Sequence, residues 1–268
     1  MEGKRQLIDG CLLSGDGDLL AGAVAIADFV GQVISAICAA ETAIITVNSG
    51  AGIEANTRRT FELAGKANLA RFIVLNKLDH ENVDFEVLVE TIRETFGNHC
   101  IPMNVPCGAG AKFHAVKTSL GSDPSSNGSV VDPAGYGSAV MDIIAETDDE
   151  LMERYLDGQE LTADEVLGGV NKAIASGALI PIFCVCAKSG IGVPELMDAV
   201  ADFALTPGEL VRHATADSGQ DIEVNSAEDA PFVAQVFKTT ADPFVGRLTY
   251  LRVLSGTLRA DATPWNVQ

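Results

Sequence analysis

The chain has 268 residues, 47% of them hydrophobic, which is enough for the core of one large domain or of a domain and a half. It carries 37 acidic against 18 basic residues, for a net charge of −19. A protein that coats DNA needs a basic surface to neutralise phosphates. The charge balance therefore argues against DNA as a partner, while a local basic patch on an acidic body remains open.

The six cysteines are spread along the chain without a C-x-x-C pair. This spacing disfavours zinc, and in a chain of this length it favours buried reduced thiols over a disulfide framework. Cys184 and Cys186 alternate on one face of a predicted strand, which favours core packing over redox chemistry. The four histidines are isolated, so we assign no catalytic residue and no metal ligand.

No segment resembles a membrane span or a secretory signal. The apolar stretch over residues 19–47 carries Asp28, Gln32 and Glu41, and the first five residues include Glu2, Lys4 and Arg5. We therefore expect a cytoplasmic protein without a membrane partner.

Helical and strand patterns alternate along the chain. The predicted elements are a helix over 27–39, a strand over 43–48, a helix over 54–66, a strand over 71–76, a helix over 83–96, a strand over 181–185 and a helix over 192–203. This alternation predicts an α/β fold with a doubly wound parallel sheet. In such sheets ligands bind beyond the carboxyl ends of the strands.

The tetrapeptide Asn76-Lys77-Leu78-Asp79 directly follows one of these predicted strands. A carboxylate at Asp79 can accept two parallel hydrogen bonds from the N1 and N2 edge of guanine, which adenine cannot donate. The Lys77 stem can lie along the base, and the Asn76 amide can brace neighbouring loops. On four residues alone, a polar turn that closes a strand is an equally good interpretation.

A second tripeptide, Cys186-Ala187-Lys188, follows the predicted strand over 181–185. A small residue at this place lets a backbone N–H reach guanine O6. Two such loops at the ends of two strands of one sheet demand a shared pocket. The candidate guanine-binding residues are Asn76, Lys77, Asp79, Cys186, Ala187 and Lys188.

Several stretches of the chain resemble the translational GTPases, and elongation factor G and its paralogues in particular. They lie at residues 27–33, 51–59, 73–79, 181–192, 242–250 and 252–256. The resemblance runs from about Ala27 to the C terminus and implies a chain that is incomplete at both ends. It implies a P-loop NTPase-like fold, GTP or GDP as ligand, Mg²⁺ as cofactor and the ribosome as partner.

The resemblance also implies a domain organisation. A partial GTP-binding domain is expected over 1–205, with an inserted α+β subdomain over about 100–178, then a linker over 206–231 and the start of a β-barrel over 232–268. The barrel is expected to open with a hairpin between 246–253 and 257–263. The long segment between Asp79 and Ala187 is otherwise too long for one crossover.

Two charged features keep two interpretations each. The acidic helices expected around 141–156 and 160–176 form either a solvated outer face or a docking surface for a basic partner. Arg247 and Arg252 either touch ribosomal RNA, as the resemblance implies, or are solvated charges of an edge strand.

The chain departs from the family at the phosphate-binding motifs. It contains no G-x-x-x-x-G-K-[ST] sequence, and the place of the D-x-P-G motif before Asp28 is taken by residues 22–26, which carry no carboxylate. Residues 7–10 resemble a displaced remnant of the strand and aspartate that precede this motif. One hypothesis is that residues near 11–26 are an insertion or a gene-model error. Magnesium ligands are likewise missing. Because phosphate and magnesium contacts supply most phosphoryl-transfer catalysis, we expect weak guanine-nucleotide binding and no hydrolysis by this chain alone.

Three functions stay open at this point. The chain is a partial copy of a GTP-hydrolysing elongation factor, a degenerate non-hydrolysing guanine- or ribosome-binding module, or an unrelated α/β enzyme with a chance N-K-x-D sequence. The match over 242–256 to the family's barrel domain disfavours the third.

Overall fold

A computed structural model describes residues 6–8, 11–13, 19–21, 30–120, 128–147, 149–157, 159, 161–210, 212–215 and 219–266. The chain divides into one compact unit over Thr42–Leu205 and another over Met1–Glu41 together with Thr206–Gln268. Residues 22–26, at the expected place of the D-x-P-G motif, lie outside the described residues, as do Asp9 and Gly10 of the predicted remnant.

The secondary structure alternates as predicted over the larger unit. In chain order the strands are β1 (Gln6–Ile8), β2 (Cys11–Leu13), β3 (Leu19–Ala21), β4 (Thr42–Asn48), β5 (Ala70–Asn76), β6 (Cys100–Pro102), β7 (Asn104–Cys107), β8 (Ala115–Thr118), β9 (Ile180–Cys184), β10 (Arg212–Thr215), β11 (Asp221–Val224), β12 (Val233–Asp242) and β13 (Gly246–Ser255). The helices are α1 (Val30–Ile37), α2 (Ala55–Lys66), α3 (Phe85–Phe96), α4 (Pro133–Glu146), α5 (Asp149–Leu156), α6 (Ala163–Ser176) and α7 (Val193–Phe203). None of the described helices combines the length and the apolar character needed to cross a bilayer.

The larger unit is built on a four-stranded sheet of order β4-β5-β9-β6. All three pairings in it are parallel, which confirms the predicted α/β fold with a parallel central sheet. β4 and β5 pair along their whole length and end together, with Asn48 opposite Asn76. In the described part of the chain, β4 is an outer strand of this sheet.

Each inner strand alternates its side chains between the two faces of the sheet, and both faces are apolar. Helices pack on both faces and form two apolar clusters with them. In β5, Ile73 and Leu75 join one cluster with Phe61 of α2 and Ile92 of α3. Phe72 of the same strand joins the opposite cluster, to which α4, α6 and α7 contribute. Burial on both faces explains why these strands read as continuous apolar runs.

Among the residues that the structure describes, the predicted insertion contains a β-hairpin and three α-helices. β7 and β8 pair antiparallel, and α4, α5 and α6 follow. α6 begins with a capping box, in which the Thr162 hydroxyl accepts from the Glu165 N–H and the Glu165 carboxylate accepts from the Thr162 N–H. β6, at the start of the predicted insertion, pairs with β9 as the other outer strand of the main sheet.

The described part of the other unit contains three small antiparallel groups of strands, β1-β2-β3, β10-β11 and β12-β13. The hairpin of β10 and β11 lies inside the segment 206–231, which the sequence predicted to be a linker. The predicted pairing of 246–253 with 257–263 is wrong. β13 pairs with the preceding β12, and residues 257–266 form no strand.

The reason for this error is the turn chemistry. Asp242 accepts hydrogen bonds from the N–H groups of Phe244 and Val245, which closes a tight turn before β13. After β13, Gly256 has a φ of +68°, and a Cβ there would lie 2.5 Å from the carbonyl oxygen of Ala230. Gly256 therefore ends the strand, where the sequence analysis placed the hairpin turn.

Candidate guanine-binding site

The candidate site lies at the carboxyl edge of the parallel sheet, where β4, β5 and β9 end. Because parallel strands deliver their carboxyl ends to one edge, the loops that follow these three strands come together there. The predicted residues follow β5 and β9, and the loop after β4 is their neighbour.

Asn76 joins the two predicted loops. Its Oδ1 atom accepts a hydrogen bond from the Lys77 N–H at 2.8 Å and another from the Ala187 N–H at 3.0 Å. The second bond spans 111 positions in the chain. The structure therefore brings the two predicted loops into direct contact through one amide oxygen.

The backbone of Asn76 is held by a residue that the sequence analysis did not select. Ser49, which follows β4, donates to the Asn76 carbonyl oxygen from its N–H at 2.9 Å and from its hydroxyl at 2.8 Å. A sequence signal was present, because both β4 and β5 are apolar runs that end in asparagine. Aligning the two runs as parallel neighbours would have placed Ser49 beside Asn76.

The loop after β5 turns sharply and separates its side chains. Lys77 has a φ of +66°, in the left-handed region that is uncommon for residues other than glycine. The His80 N–H donates to the Lys77 carbonyl oxygen at 3.1 Å and closes the turn. Leu78 is buried in the core, Lys77 is exposed and Asp79 is half-buried. The buried leucine anchors the loop between the two polar side chains.

Asp79, Lys77 and Lys188 make no side-chain hydrogen bond within the described part of the chain. The acceptor sites of the Asp79 carboxylate are therefore available to a ligand. Lys188 and Ala187 are both exposed.

Cys186 differs from the other predicted residues. Its side chain is buried in the apolar cluster that also contains Cys184, as their spacing predicted. The Cys186 N–H donates to the Ile191 carbonyl oxygen at 2.8 Å, and its own carbonyl accepts from the Gly190 N–H at 2.9 Å. Cys186 thus shapes the loop through its backbone while its thiol faces the core.

The loop after β9 ends at Gly192, the residue before α7. Its φ is +75°, and a Cβ there would lie 2.2 Å from the carbonyl oxygen of Cys184. This close approach excludes any other residue without movement of the strand. The glycine lets the chain double back, so that the loop with Ala187 and Lys188 stays compact.

Comparison with known proteins places this arrangement in a family. Residues 26–206 match the family of the elongation factor Tu GTP-binding domain. The chain belongs to this family. The prediction from sequence of a translational GTPase related to elongation factor G is confirmed, and the chain carries a translation-elongation-factor-like GTP-binding domain.

Curated relatives agree with this placement. The chain is 34% identical over 250 residues to an elongation factor G-like protein of Thermotoga maritima, with 90% of the chain and 37% of that protein covered. It is 33% identical over 247 residues to elongation factor G of Fervidobacterium nodosum, with 86% and 36% covered. An elongation factor G-like protein of Mycobacterium tuberculosis is 30% identical over 249 residues, with 88% and 35% covered. The chain thus spans about a third of the length of these relatives.

A solved structure shows the same fold. A crystal structure of a Thermus thermophilus protein superposes with a TM-score of 0.74 at 28% identity, covering 92% of this chain and 37% of that one. The family match covers residues 26–206, whereas the structural match covers 92% of the chain. The structural match therefore extends beyond the GTP-binding domain.

Magnesium is the cofactor that the family resemblance implies. Among the described residues, no three side chains of histidine, cysteine, aspartate or glutamate converge to hold a metal ion. Magnesium prefers several oxygen ligands in octahedral geometry. We assign no role in this chain to the ion.

Proposed function

We propose that this translation-factor domain reads the guanine base of GTP or GDP through the loops after β5 and β9, as part of an elongation factor G-like protein that acts on the ribosome. The observation that supports it most directly is the bond between Asn76 Oδ1 and the Ala187 N–H. That bond holds the two loops together in the absence of a ligand, so the loops need little further ordering when the nucleotide binds.

The chemistry assigns a role to each loop. The Asp79 carboxylate, which has no partner among the described residues, accepts from the N1–H and N2–H groups of guanine. The exposed Lys77 stem covers one face of the base. These contacts exclude adenine, because it would leave the carboxylate unpaired.

The hydrogen bonds of the loop after β9 indicate which backbone N–H is available to guanine O6. The Ala187 N–H is occupied by Asn76 in this structure. The N–H of Lys188, the next residue, donates to no acceptor among the described residues. We propose Lys188 as the backbone donor to O6, with Ala187 as the small residue that lets the base approach.

The phosphates contribute little to binding in this proposal. No P-loop motif occurs in the 268 residues, so no glycine-rich loop with its lysine cradles them. Guanosine and GDP should then bind this chain with similar, weak affinities. Calorimetric titration tests this directly, and a submicromolar dissociation constant for GTP would contradict it.

A matched pair of variants tests the base contact. Asp79→Asn removes a carboxylate acceptor and should weaken guanosine binding about tenfold or more, because charged hydrogen bonds are the stronger ones. Asp198→Asn makes the same change at an exposed position of α7 and should leave binding unchanged. Equal affinities for the two variants would remove Asp79 from the site.

Action on the ribosome is the part of the proposal that rests on the relatives. Cosedimentation of the 268-residue chain with ribosomes should recover it in the pellet above a matched acidic control protein. A GTPase assay on the same mixture separates the two remaining functions. Turnover above that of ribosomes alone would contradict a non-hydrolysing guanine- or ribosome-binding module, which the missing P-loop motif favours for this chain.

A further inference from the structure

We infer that Ser49 is a positioning residue for the guanine-binding site, in that its hydroxyl fixes Asn76 and thereby the loops that carry Lys77 and Ala187. This inference rests on the proposed function. Its starting point is a two-point contact, in which both the N–H and the hydroxyl of Ser49 donate to the same carbonyl oxygen of Asn76, at 2.9 and 2.8 Å.

The second of these bonds is not needed to satisfy the carbonyl. A carbonyl oxygen in a parallel ladder has its ordinary partner once one N–H reaches it, and the Ser49 N–H already does. The hydroxyl adds a second direction of attachment, which fixes the orientation of the Asn76 peptide unit. Ser49 is only 8% exposed, so water competes little for that bond.

The loop after β4 is itself fixed in place. Asn48 pairs with Asn76 in the parallel register of β4 and β5. Its Oδ1 accepts from the Gly50 N–H at 3.2 Å, and its carbonyl accepts from the Gly52 N–H at 2.8 Å. Ser49 therefore reaches Asn76 from a turn whose own backbone groups are bonded.

The effect of Ser49 passes through Asn76 to the base-contacting loops. The Asn76 Oδ1 atom receives the Lys77 and Ala187 N–H groups, and its position depends on the backbone that Ser49 holds. The Asn76 carbonyl and the Lys77 N–H belong to one peptide unit, so rotation of that unit carries the Lys77 N–H away from Oδ1. Oδ1 then loses one of the two bonds that hold it in place to accept from the Ala187 N–H. Loss of one hydroxyl after β4 should therefore loosen loops after β5 and after β9.

The experiment uses the whole chain with Ser49→Ala, the conservative variant Ser49→Thr and the control Ser138→Ala. Ser138 also donates its hydroxyl to a carbonyl oxygen, that of Ala134 at 3.1 Å, on the insertion helix α4. The first readout is amide hydrogen exchange by NMR without ligand. The second is guanosine affinity by NMR titration.

In Ser49→Ala, the amides of Lys77 and Ala187 should exchange about fivefold faster, the factor that corresponds to one net hydrogen bond. The amide of Val185, which donates to Leu75 at 2.8 Å just inside the sheet, should keep its rate. Guanosine should bind about fivefold more weakly, while Ser49→Thr and Ser138→Ala resemble the unmodified chain.

The outcomes separate this inference from the proposed function. Unchanged exchange at Ala187 in Ser49→Ala overturns the inference, and so does faster exchange at Val185 to the same degree, because Ser49 would then serve general stability. Faster exchange at Lys77 and Ala187, with threonine restoring it, supports the positioning role. Failure of the unmodified chain to bind guanosine overturns the proposed function, whichever exchange result is found.

Discussion

The unit over Thr42–Leu205 and the unit that joins Met1–Glu41 to Thr206–Gln268 differ in what fills their interiors. In the first, two apolar clusters cover both faces of a parallel sheet, and Phe72 and Ile73 are completely buried. In the described part of the second, the buried side chains are small except for one charged residue. They are Val33, Ala36, Ala39, Ala40, Glu41 and Ser255.

That charged residue is the centre of an ion cluster. The Glu41 carboxylate accepts from Arg212 Nη2 at 3.1 Å and from Arg252 Nη2 at 3.1 and 3.2 Å. Arg212 also donates to the Ala40 carbonyl oxygen at 3.3 Å. The cluster joins the segment after α1 to β10 and β13, three elements far apart in sequence. Arg252, for which the sequence left an RNA contact and a solvated charge as alternatives, is thus a partner of Glu41.

This difference determines how each unit responds when one side chain is removed. Apolar burial is spread over many side chains, so each removal leaves a cavity but no unpaired charge. A buried ion cluster depends on all its members, because removal of one leaves the others uncompensated. Substitutions in the two units should therefore differ in how they can be rescued.

The largest effect is expected from Phe72→Ala in β5. Phe72 is completely buried and its ring lies 5.8 Å from that of Phe183, centroid to centroid. Removing it should lower the free energy of unfolding by about 4 kcal/mol. Urea denaturation followed by far-UV circular dichroism measures this. Met197→Ala, at a side chain that is 46% exposed in the same unit, is the control and should cost less than half as much.

The next effect is expected from Glu41→Leu, which leaves the Arg212 and Arg252 guanidinium groups without their carboxylate. The expected cost is about 3 kcal/mol. Hydrogen exchange followed by mass spectrometry should show lost protection in peptides over 246–255, with peptides over 70–76 unchanged.

Rescue distinguishes the ion cluster from ordinary packing. Adding Arg212→Met and Arg252→Met to Glu41→Leu replaces all three charges by apolar groups and should restore much of the protection. If the triple variant is less protected than Glu41→Leu alone, the charges are not what holds these elements together.

A smaller, pH-dependent effect on stability is expected at the start of α6, where the carboxylate of Glu165 caps the helix. The hydrogen bond from Arg154, followed by those from Thr162, lowers the pKa of Glu165 from 4.5 to about 2. Because the folded pKa is depressed, this carboxylate stabilises the folded state fully above pH 4.5, and the contribution is lost as the pH falls through about 2.

Amide exchange in the first turn of α6 measures this contribution. The unmodified chain should protect these amides better than Glu165→Gln at pH 6, and the difference should vanish as the pH falls towards 2. Glu195→Gln, in the first turn of α7, is the matched control. A difference that persists unchanged at low pH would mean that the cap does not depend on the charge of Glu165.

Sequence patterns predicted the apolar unit well because its physics is periodic. The runs over 72–75 in β5 and 180–184 in β9 are continuously apolar and fully buried, as expected for inner strands covered on both faces. The contact between Asn76 and Ala187 followed from strand ends in a parallel sheet. Ser49 was missed because serine after a strand reads as a turn residue, and its bond to Asn76 depends on the strand register.

The other unit could not be predicted in the same way. Glu41, Arg212 and Arg252 have no periodic relation along the chain, and only the fold brings them together. The predicted hairpin placed the turn after β13, whereas the Asp242 turn before β13 joins it to β12. The ion cluster depends on long-range contacts, whereas the hairpin is closed by a local turn at Asp242 that the sequence prediction did not recognise.

The smallest effects are expected at two exposed apolar side chains, one in each unit. Phe244, at the tip of the β12–β13 turn, is 96% exposed, and Val87 on α3 is 62% exposed. Since neither side chain removes much apolar surface from water, Phe244→Ser and Val87→Ser should each change the free energy of unfolding by less than about 0.5 kcal/mol. Urea denaturation compares them under the conditions used for Phe72→Ala. A cost above about 1 kcal/mol for Phe244→Ser alone would show that the hairpin tip packs against other residues in solution, and that the second unit has an apolar interior after all.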